Sequence, residues 1–301
     1  MRNGSYAGLQ GAGEFVGREP ELEALIGGLD QARSGRGTLF LVGGEPGIGK
    51  SRLADEFSAR AREAGARTLW GRCWEGAGAP AYWPWIQALR AHLRNIDRDR
   101  AREHLGAGAA DIAQVLPEIR TLVPDLPPPP PESDAARFQL FDSTTSFLRS
   151  IGREQETVLI LEDLQASDTP SILLLRFLAS QLGDIRLLVV ATYRDVELTP
   201  DHPLTLAVSE MAREPVARLL TLSGLRKADV SRFVETTTGK SSQAPLVARL
   251  WHETNGNPLF VSEAMRLLAS EGHLHETSAA DSLRLSLPAG VREVITRRVR
   301  H

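Results

Sequence analysis

The chain has 301 residues, 42% of them hydrophobic and 24% charged, with a formal net charge of −3. That charge excludes a global attraction to nucleic acid or anionic membrane, and a single cysteine, Cys73, excludes an internal disulfide. No apolar run approaches the length that crosses a bilayer, so we expect a cytoplasmic protein of one large or two modest domains that does not engage membrane.

Residues 1–13 are rich in glycine, lack the apolar core of a signal peptide, and read as a flexible N-terminus. The apolar run at 38–42 predicts a buried strand. Leu53, Ala54, Phe57 and Ala61 then recur at helical spacing over 51–64, with Gly65 as a stop. Residues 67–71 predict a second strand, and Cys73 reads as a small buried hydrophobe.

About eighty residues separate this strand from the next, more than one crossover helix needs. They form a helical insertion over about 77–135, with helical periodicity at 86–93 and 110–122. Tyr82-Trp83-Pro84-Trp85 is open to two readings, an aromatic platform for a ligand or an anchor of the insertion on the sheet. The five prolines at 127–131 form neither helix nor central strand and predict a stiff extended connector. A helix at 138–151 leads into a strand at 157–161, and further strands follow at 186–191 and 218–222.

Strand signals stop after 222. Helices are predicted at 227–237, 246–254, 258–271 and 291–299, forming a second, helical subdomain over 223–301. The last residues, 297–301, are basic and sit inside a helical pattern without a cap. That leads us to expect a fragment or a truncated relative of something longer. Alternating strands and helices over 14–222 predict an α/β fold, with a parallel sheet flanked by helices.

The octet at 44–51 carries the chemistry. Gly44, Glu45, Pro46, Gly47, Ile48, Gly49, Lys50 and Ser51 fit the phosphate-loop pattern, placed between a strand and a helix as that motif requires. Glycines let backbone N–H groups approach a polyphosphate, and the following helix, entered through Arg52, adds the positive end of its dipole. Lys50 is the residue for the β- and γ-phosphates, and the Ser51 hydroxyl for magnesium. A nucleotide and Mg2+ are therefore the expected ligands of the octet.

Such a loop needs acids at the tip of a neighbouring strand. Val158-Leu-Ile-Leu-Glu-Asp163 supplies Glu162 as the magnesium-linked acid and Asp163 to orient or activate a water. Asp168 precedes Thr169-Pro170 and predicts an N-cap. The run Ala191-Thr-Tyr-Arg-Asp195 places Thr192 and Arg194 at the carboxyl end of a parallel strand, where ligands bind. Arg194 is either a sensor of the γ-phosphate or a partner in a surface ion pair.

Five segments in order, Phe15-Val-Gly-Arg-Glu19, the octet, the strand with its acids, Ala191–Asp195 and Thr254-Asn-Gly-Asn-Pro-Leu-Phe-Val261, resemble the signal-transducing (STAND) branch of AAA-type ATPases. The best match is the ATPase module of large ATP-binding regulators of the LuxR type. The resemblance implies a P-loop NTPase core with a C-terminal helical lid. It implies that Val16 and Arg18 lie against adenine and ribose, that Pro258 packs on the adenine, and that Arg194 is the sensor arginine. With this resemblance, Glu162, Asp163, Arg194 and Pro258 narrow the nucleotide to ATP, so ATP and Mg2+ are the expected cofactors. Residues 287–295 resemble the lead-in to a winged-helix domain, and no DNA-binding helix-turn-helix follows.

Relatives carry His-Trp-Ala where this chain has Gln165-Ala166-Ser167, and many have Asp in place of Glu162. The resemblance thus implies a switch that binds ATP and hydrolyses it slowly. Its partners would be nucleotide, other signalling domains, or further copies of itself. Two other readings stand beside it: a nucleotide-binding scaffold without turnover, and an initiator-like ATPase associated with DNA.

Overall fold

The computed structural model describes residues 15–76, 78–239 and 241–270. The expected N-terminal segment 1–13, the helix at 291–299, the lead-in at 287–295 and the basic run at 297–301 lie outside the described residues. Two compact units emerge. One comprises Pro20–Gly44 and Leu53–Thr221; the other gathers Glu45–Arg52 with the described parts of Met1–Glu19 and Leu222–His301.

In chain order the elements are α1 (Glu19–Arg33), β1 (Thr38–Gly44), α2 (Lys50–Glu63), β2 (Arg67–Arg72) and α3 (Trp83–Arg94). Then come α4 (Arg98–Leu105), α5 (Ala109–Ile112), α6 (Ile119–Leu122), α7 (Asp134–Glu154), β3 (Thr157–Glu162) and α8 (Thr169–Gln181). β4 (Leu187–Tyr193), α9 (Pro203–Met211), β5 (Ala217–Leu222), α10 (Lys227–Thr238), α11 (Ala244–Thr254) and α12 (Pro258–Ser270) complete the described chain.

The sheet has the order β2-β3-β4-β1-β5. β1 pairs with β4, β4 with β3 and β3 with β2, all in parallel. β1, β3 and β4 are buried along their whole length, whereas β2 and β5 at the edges expose part of theirs. Continuous apolar runs behave this way when helices cover both sheet faces. The α/β fold with a parallel, helix-flanked sheet is the one the sequence predicts.

The insertion follows β2. Trp85 is its anchor: 1% exposed, it donates its indole N–H to the Ser171 carbonyl of α8 at 3.2 Å. Gly71 lets α3 come close to β2, since a Cβ there would lie 2.0 Å from the Pro84 carbonyl oxygen. Tyr82 stands edge-on to Phe141 and its backbone N–H donates to Asp168 at 3.3 Å. The expected N-cap is present as well, with Asp168 accepting from the Ser171 N–H at 2.8 Å. Cys73 is buried, and desolvation pushes its thiol up to about 12.

One expectation needs correction. Residues 110–122 do not form one helix but two four-residue turns, α5 and α6. Pro117 lies between them; it lacks an N–H, and its ring would clash with the carbonyl four residues back in a continuous helix. The apolar side chains at 112, 113, 116 and 119 are buried all the same, which is why the spacing looked helical.

The insertion also buries a histidine pair. His92 Nε2 on α3 lies 3.0 Å from His104 Nδ1 on α4, and His104 Nε2 lies 3.0 Å from Glu154 Oε1 on α7. Phe147 meets both rings edge-on. Desolvation, with the Arg67 charge and His104 behind it and Glu154 opposing, pushes His92 down to about 4. Below the ordinary value of 6.5 the unfolded chain binds a proton that the folded chain refuses. The His92 contribution to stability should therefore fall as pH drops from about 6.5 to about 4, by about 3 kcal/mol, and level off below that window. Urea titrations at pH 7 and pH 4.5 measure the difference, and His92→Phe should flatten it.

The helical unit has its own core of Leu225, Val230, Val234, Val247, Leu250 and Val261. Its α11 ends on Asn255 in the left-handed region, and Gly256 follows there too. A Cβ at Gly256 would stand 2.2 Å from the Leu225 carbonyl oxygen, whereas the glycine lets the Leu225 N–H reach the Gly256 carbonyl at 2.8 Å.

Candidate nucleotide-binding site

β1 runs straight into the octet, and α2 begins at Lys50. Gly44, Gly47 and Gly49 have φ of 153°, 78° and 104°, backbone that L side chains rarely adopt. At Gly47 a Cβ would also meet the Leu259 Cβ at 2.6 Å.

Four consecutive loop carbonyls, those of 45–48, are engaged. Glu45 O accepts from Lys50 Nζ at 3.0 Å, and Pro46 O from Asn257 Nδ2 at 3.1 Å. Gly47 O accepts from the Leu259 N–H at 3.3 Å, and Ile48 O from the Arg18 guanidinium at 3.0 Å. Because a trans peptide points its N–H opposite its C=O, turning the carbonyls of 46 and 48 toward Asn257 and Arg18 turns the N–H groups of Gly47 and Gly49 the other way. Together with the N-terminus of α2 this is an arrangement suited to a polyphosphate. The residues present fit the group.

Arg18 also donates to the Ser223 carbonyl, so its side chain spans from the loop to the chain entering α10. Val16 and Arg18 are both buried, and Gly17 (φ 69°) sits against Leu225 and Asp229 of the same unit. The Arg52 guanidinium lies 6.0 Å from the Phe15 ring centroid. Pro258 is half-buried in the first turn of α12, and Asn257 beside it reaches the loop.

In the sheet unit, the carboxyl ends of β3 and β4 bring the other predicted residues together. Glu162, the last residue of β3, is 3% exposed. Its Oε2 accepts from Arg72 Nε at 3.1 Å and from the Arg72 terminal nitrogen at 2.7 Å; its Oε1 is buried with no hydrogen-bond partner among the described residues. Arg72 is the register partner of Glu162 on β2.

Asp163 follows in the left-handed region, φ 60°. Its N–H donates to Thr192 Oγ1 at 3.2 Å, and its Oδ1 accepts from Gln165 Nε2 at 3.2 Å. Gln165 Oε1 in turn accepts from the Arg194 N–H at 3.1 Å. The Arg194 guanidinium pairs with Glu197 at 2.8 Å and with Glu75, the ion-pair arrangement left open by the sequence.

Sequence reasoning missed Arg72 and Asn257. The rule that singled out Arg194, a charged residue at the carboxyl end of a parallel strand, would have found Arg72 also. Gln165 was visible only as a departure from a pattern, whereas here it ties Asp163 to the start of the segment after β4.

A parallel sheet in this strand order, with a glycine loop and helix after β1 and acids at the tip of β3, defines a P-loop NTPase. The family follows: the model for the AAA ATPase domain matches residues 14–190, more than half of the sequence, and the chain belongs to that family. It is an ATP-binding NTPase module.

A search among curated proteins gives no match. Among solved structures, a STAND protein with a tetratricopeptide-repeat sensor from Pyrococcus horikoshii is similar at 17% identity and TM-score 0.48, over 82% of this chain and 29% of that one. The chain thus spans less than a third of that protein's length. A variant of Thermotoga maritima RuvB is similar at 16% identity and TM-score 0.46, over 95% of this chain and 72% of that one.

The brace on the loop is open to test. Asn257→Ala removes the hydrogen bond to Pro46 O, at a cost of about 1 kcal/mol locally. Amide hydrogen exchange within 45–52 should speed up in the variant, while exchange in β3 and β4 stays as it was. Unchanged exchange in the loop would mean that Asn257 does not brace it.

Proposed function

We propose that this chain is an ATP-dependent signalling switch of the STAND type, binding Mg-ATP, hydrolysing it slowly, and serving a regulator of the LuxR type. The observation that carries the reading is the octet, where the carbonyls of 45–48 are engaged and the Gly47 and Gly49 N–H groups are turned away from the donors to 46 and 48. When bound, Mg-ATP supplies a polyphosphate and a cation that offsets its charge.

Lys50, whose Nζ touches Glu45 O at 3.0 Å, would hold phosphate oxygens together with the N–H groups of the loop. Ser51 Oγ and the Glu162 and Asp163 carboxylates would serve the metal; the buried Glu162 Oε1, without a hydrogen-bond partner among the described residues, supports that assignment for Glu162. Asp163 orients a water and accepts its proton at a carboxylate oxygen. Gln165 already engages Oδ1, and Arg72 Nε lies 3.8 Å from Oδ2, which supports slow rather than rapid turnover.

Val16 and Arg18 take the base and ribose, with Pro258 against the adenine, as the resemblance implies. Arg18 and Asn257, which immediately precede α1 and α12, and Leu259 in the first turn of α12 touch the same loop, so a ligand on that loop is felt at those three residues. A γ-phosphate contacted in one state and absent in the other provides the differential free energy that a population shift requires. The output lies with other signalling domains or further copies of the chain. A nucleotide-holding scaffold without turnover is the second reading, favoured by the pairing of Arg194 with Glu75 and Glu197.

Two variants separate these. Lys50→Ala should weaken ATP binding by at least about tenfold, since charge-assisted phosphate contacts are among the strong ones. Equal affinity in the two proteins, by equilibrium titration, would sink the nucleotide assignment. Asp163→Asn should keep binding and lose phosphate release; if the unaltered chain releases no phosphate above background, the scaffold reading replaces the switch.

A further inference from the structure

Glu162 is a carboxylate buried at the tip of a central strand, and a lone buried charge of that kind is costly. Arg72 offsets the cost in an unusual way. A guanidinium fork normally meets both oxygens of a carboxylate, one nitrogen to each. Here two Arg72 nitrogens converge on Oε2 alone, at 3.1 and 2.7 Å, and Oε1 stays buried without a hydrogen-bond partner among the described residues.

The two ends of the pair differ in freedom. The Glu162 side chain is 4% exposed, while that of Arg72 is 59% exposed. The Arg72 backbone is pinned on its own account: its carbonyl accepts from Gln87 Nε2 at 2.8 Å, and its N–H faces Gln87 Oε1 at 3.4 Å. The guanidinium can therefore leave Glu162 for solvent without disturbing β2. Asp163 Oδ2, 3.8 Å from Arg72 Nε, lies beside it.

We propose that Arg72 is a positioning residue that clamps Glu162 and competes with the divalent cation for its charge, so that it sets how much magnesium the site requires. This rests on the reading that Glu162 serves the metal. In the clamped state the carboxylate is held in place but its charge is largely neutralised, and a cation must displace the guanidinium to gain it. The pair is therefore a threshold on metal entry, not a support for it.

The consequence is a gain of function that a merely structural role would not produce. Binding of a fluorescent ATP analogue to the full chain is followed across a magnesium series. Arg72→Ala should lower the magnesium midpoint by about fivefold, the scale expected for losing one partly exposed ion pair. Arg72→Gln, which keeps most of the side-chain volume, should do the same and covers the case in which the alanine variant folds poorly. Glu162→Gln should raise the midpoint, and adding Arg72→Gln to it should produce no further change.

An unchanged or raised midpoint in Arg72→Gln, with Glu162→Gln still shifted, overturns the clamp and leaves the metal assignment standing. A midpoint that Glu162→Gln does not move overturns the metal assignment and the clamp with it.

Discussion

Burial of β1, β3 and β4 on both faces is the constraint on which the rest depends. A strand covered by helices on both sides cannot carry a charge or an unpaired polar side chain along its length. Polar chemistry is therefore pushed to the strand ends, where Gly44, Glu162, Thr192 and Arg194 occur. The parallel direction puts those ends on one edge, because parallel strands share a carboxyl side. The location of the candidate chemistry follows from packing before any residue is assigned a role.

The loop follows a second rule, that backbone carbonyls take donors. Four consecutive carbonyls at 45–48 draw theirs from a lysine at the start of α2, the Gly-Asn-Pro turn, the first turn of α12 and the segment before α1. Each donor fixes one peptide plane, and each fixed plane aims an N–H. Glycines are required because these planes demand positive φ, not because glycine binds phosphate. The same contacts join the octet to the helical unit more closely than chain order suggests.

Much of this was legible in the sequence, for identifiable reasons. Continuous apolar runs marked the central strands, 3.6-residue spacing marked α2, and Asp before Thr-Pro marked the cap on α8. Legibility failed where the signal is not periodic. α4 reads as charged throughout, and only Ala101, His104 and Leu105 are buried. Residues 110–122 keep helical spacing across Pro117, yet the proline breaks the helix. The role of Arg72 depends on register with a residue ninety positions away, and that of Asn257 on one 211 positions away. The strand-end rule marks Arg72 as a position, but neither pairing partner can be read from local sequence.

The charged residues assigned to the site share one property. Lys50 touches a carbonyl of its own loop, Glu162 holds Arg72, Asp163 holds Gln165, and Arg194 holds two glutamates. Ligand binding at such groups is an exchange of partners, so its net free energy is a difference between similar terms. Small differences make poor anchors for a fast catalytic cycle, since preorganised and uncommitted charges are what lower barriers. They suit a device whose two states must lie within a few kcal/mol of each other. Arg72 released from Glu162, or Arg194 from Glu75 and Glu197, becomes a free cation beside the strand ends. Under the proposed switch reading, the chain's own ion pairs would stabilise either state, and a bound nucleotide would decide which.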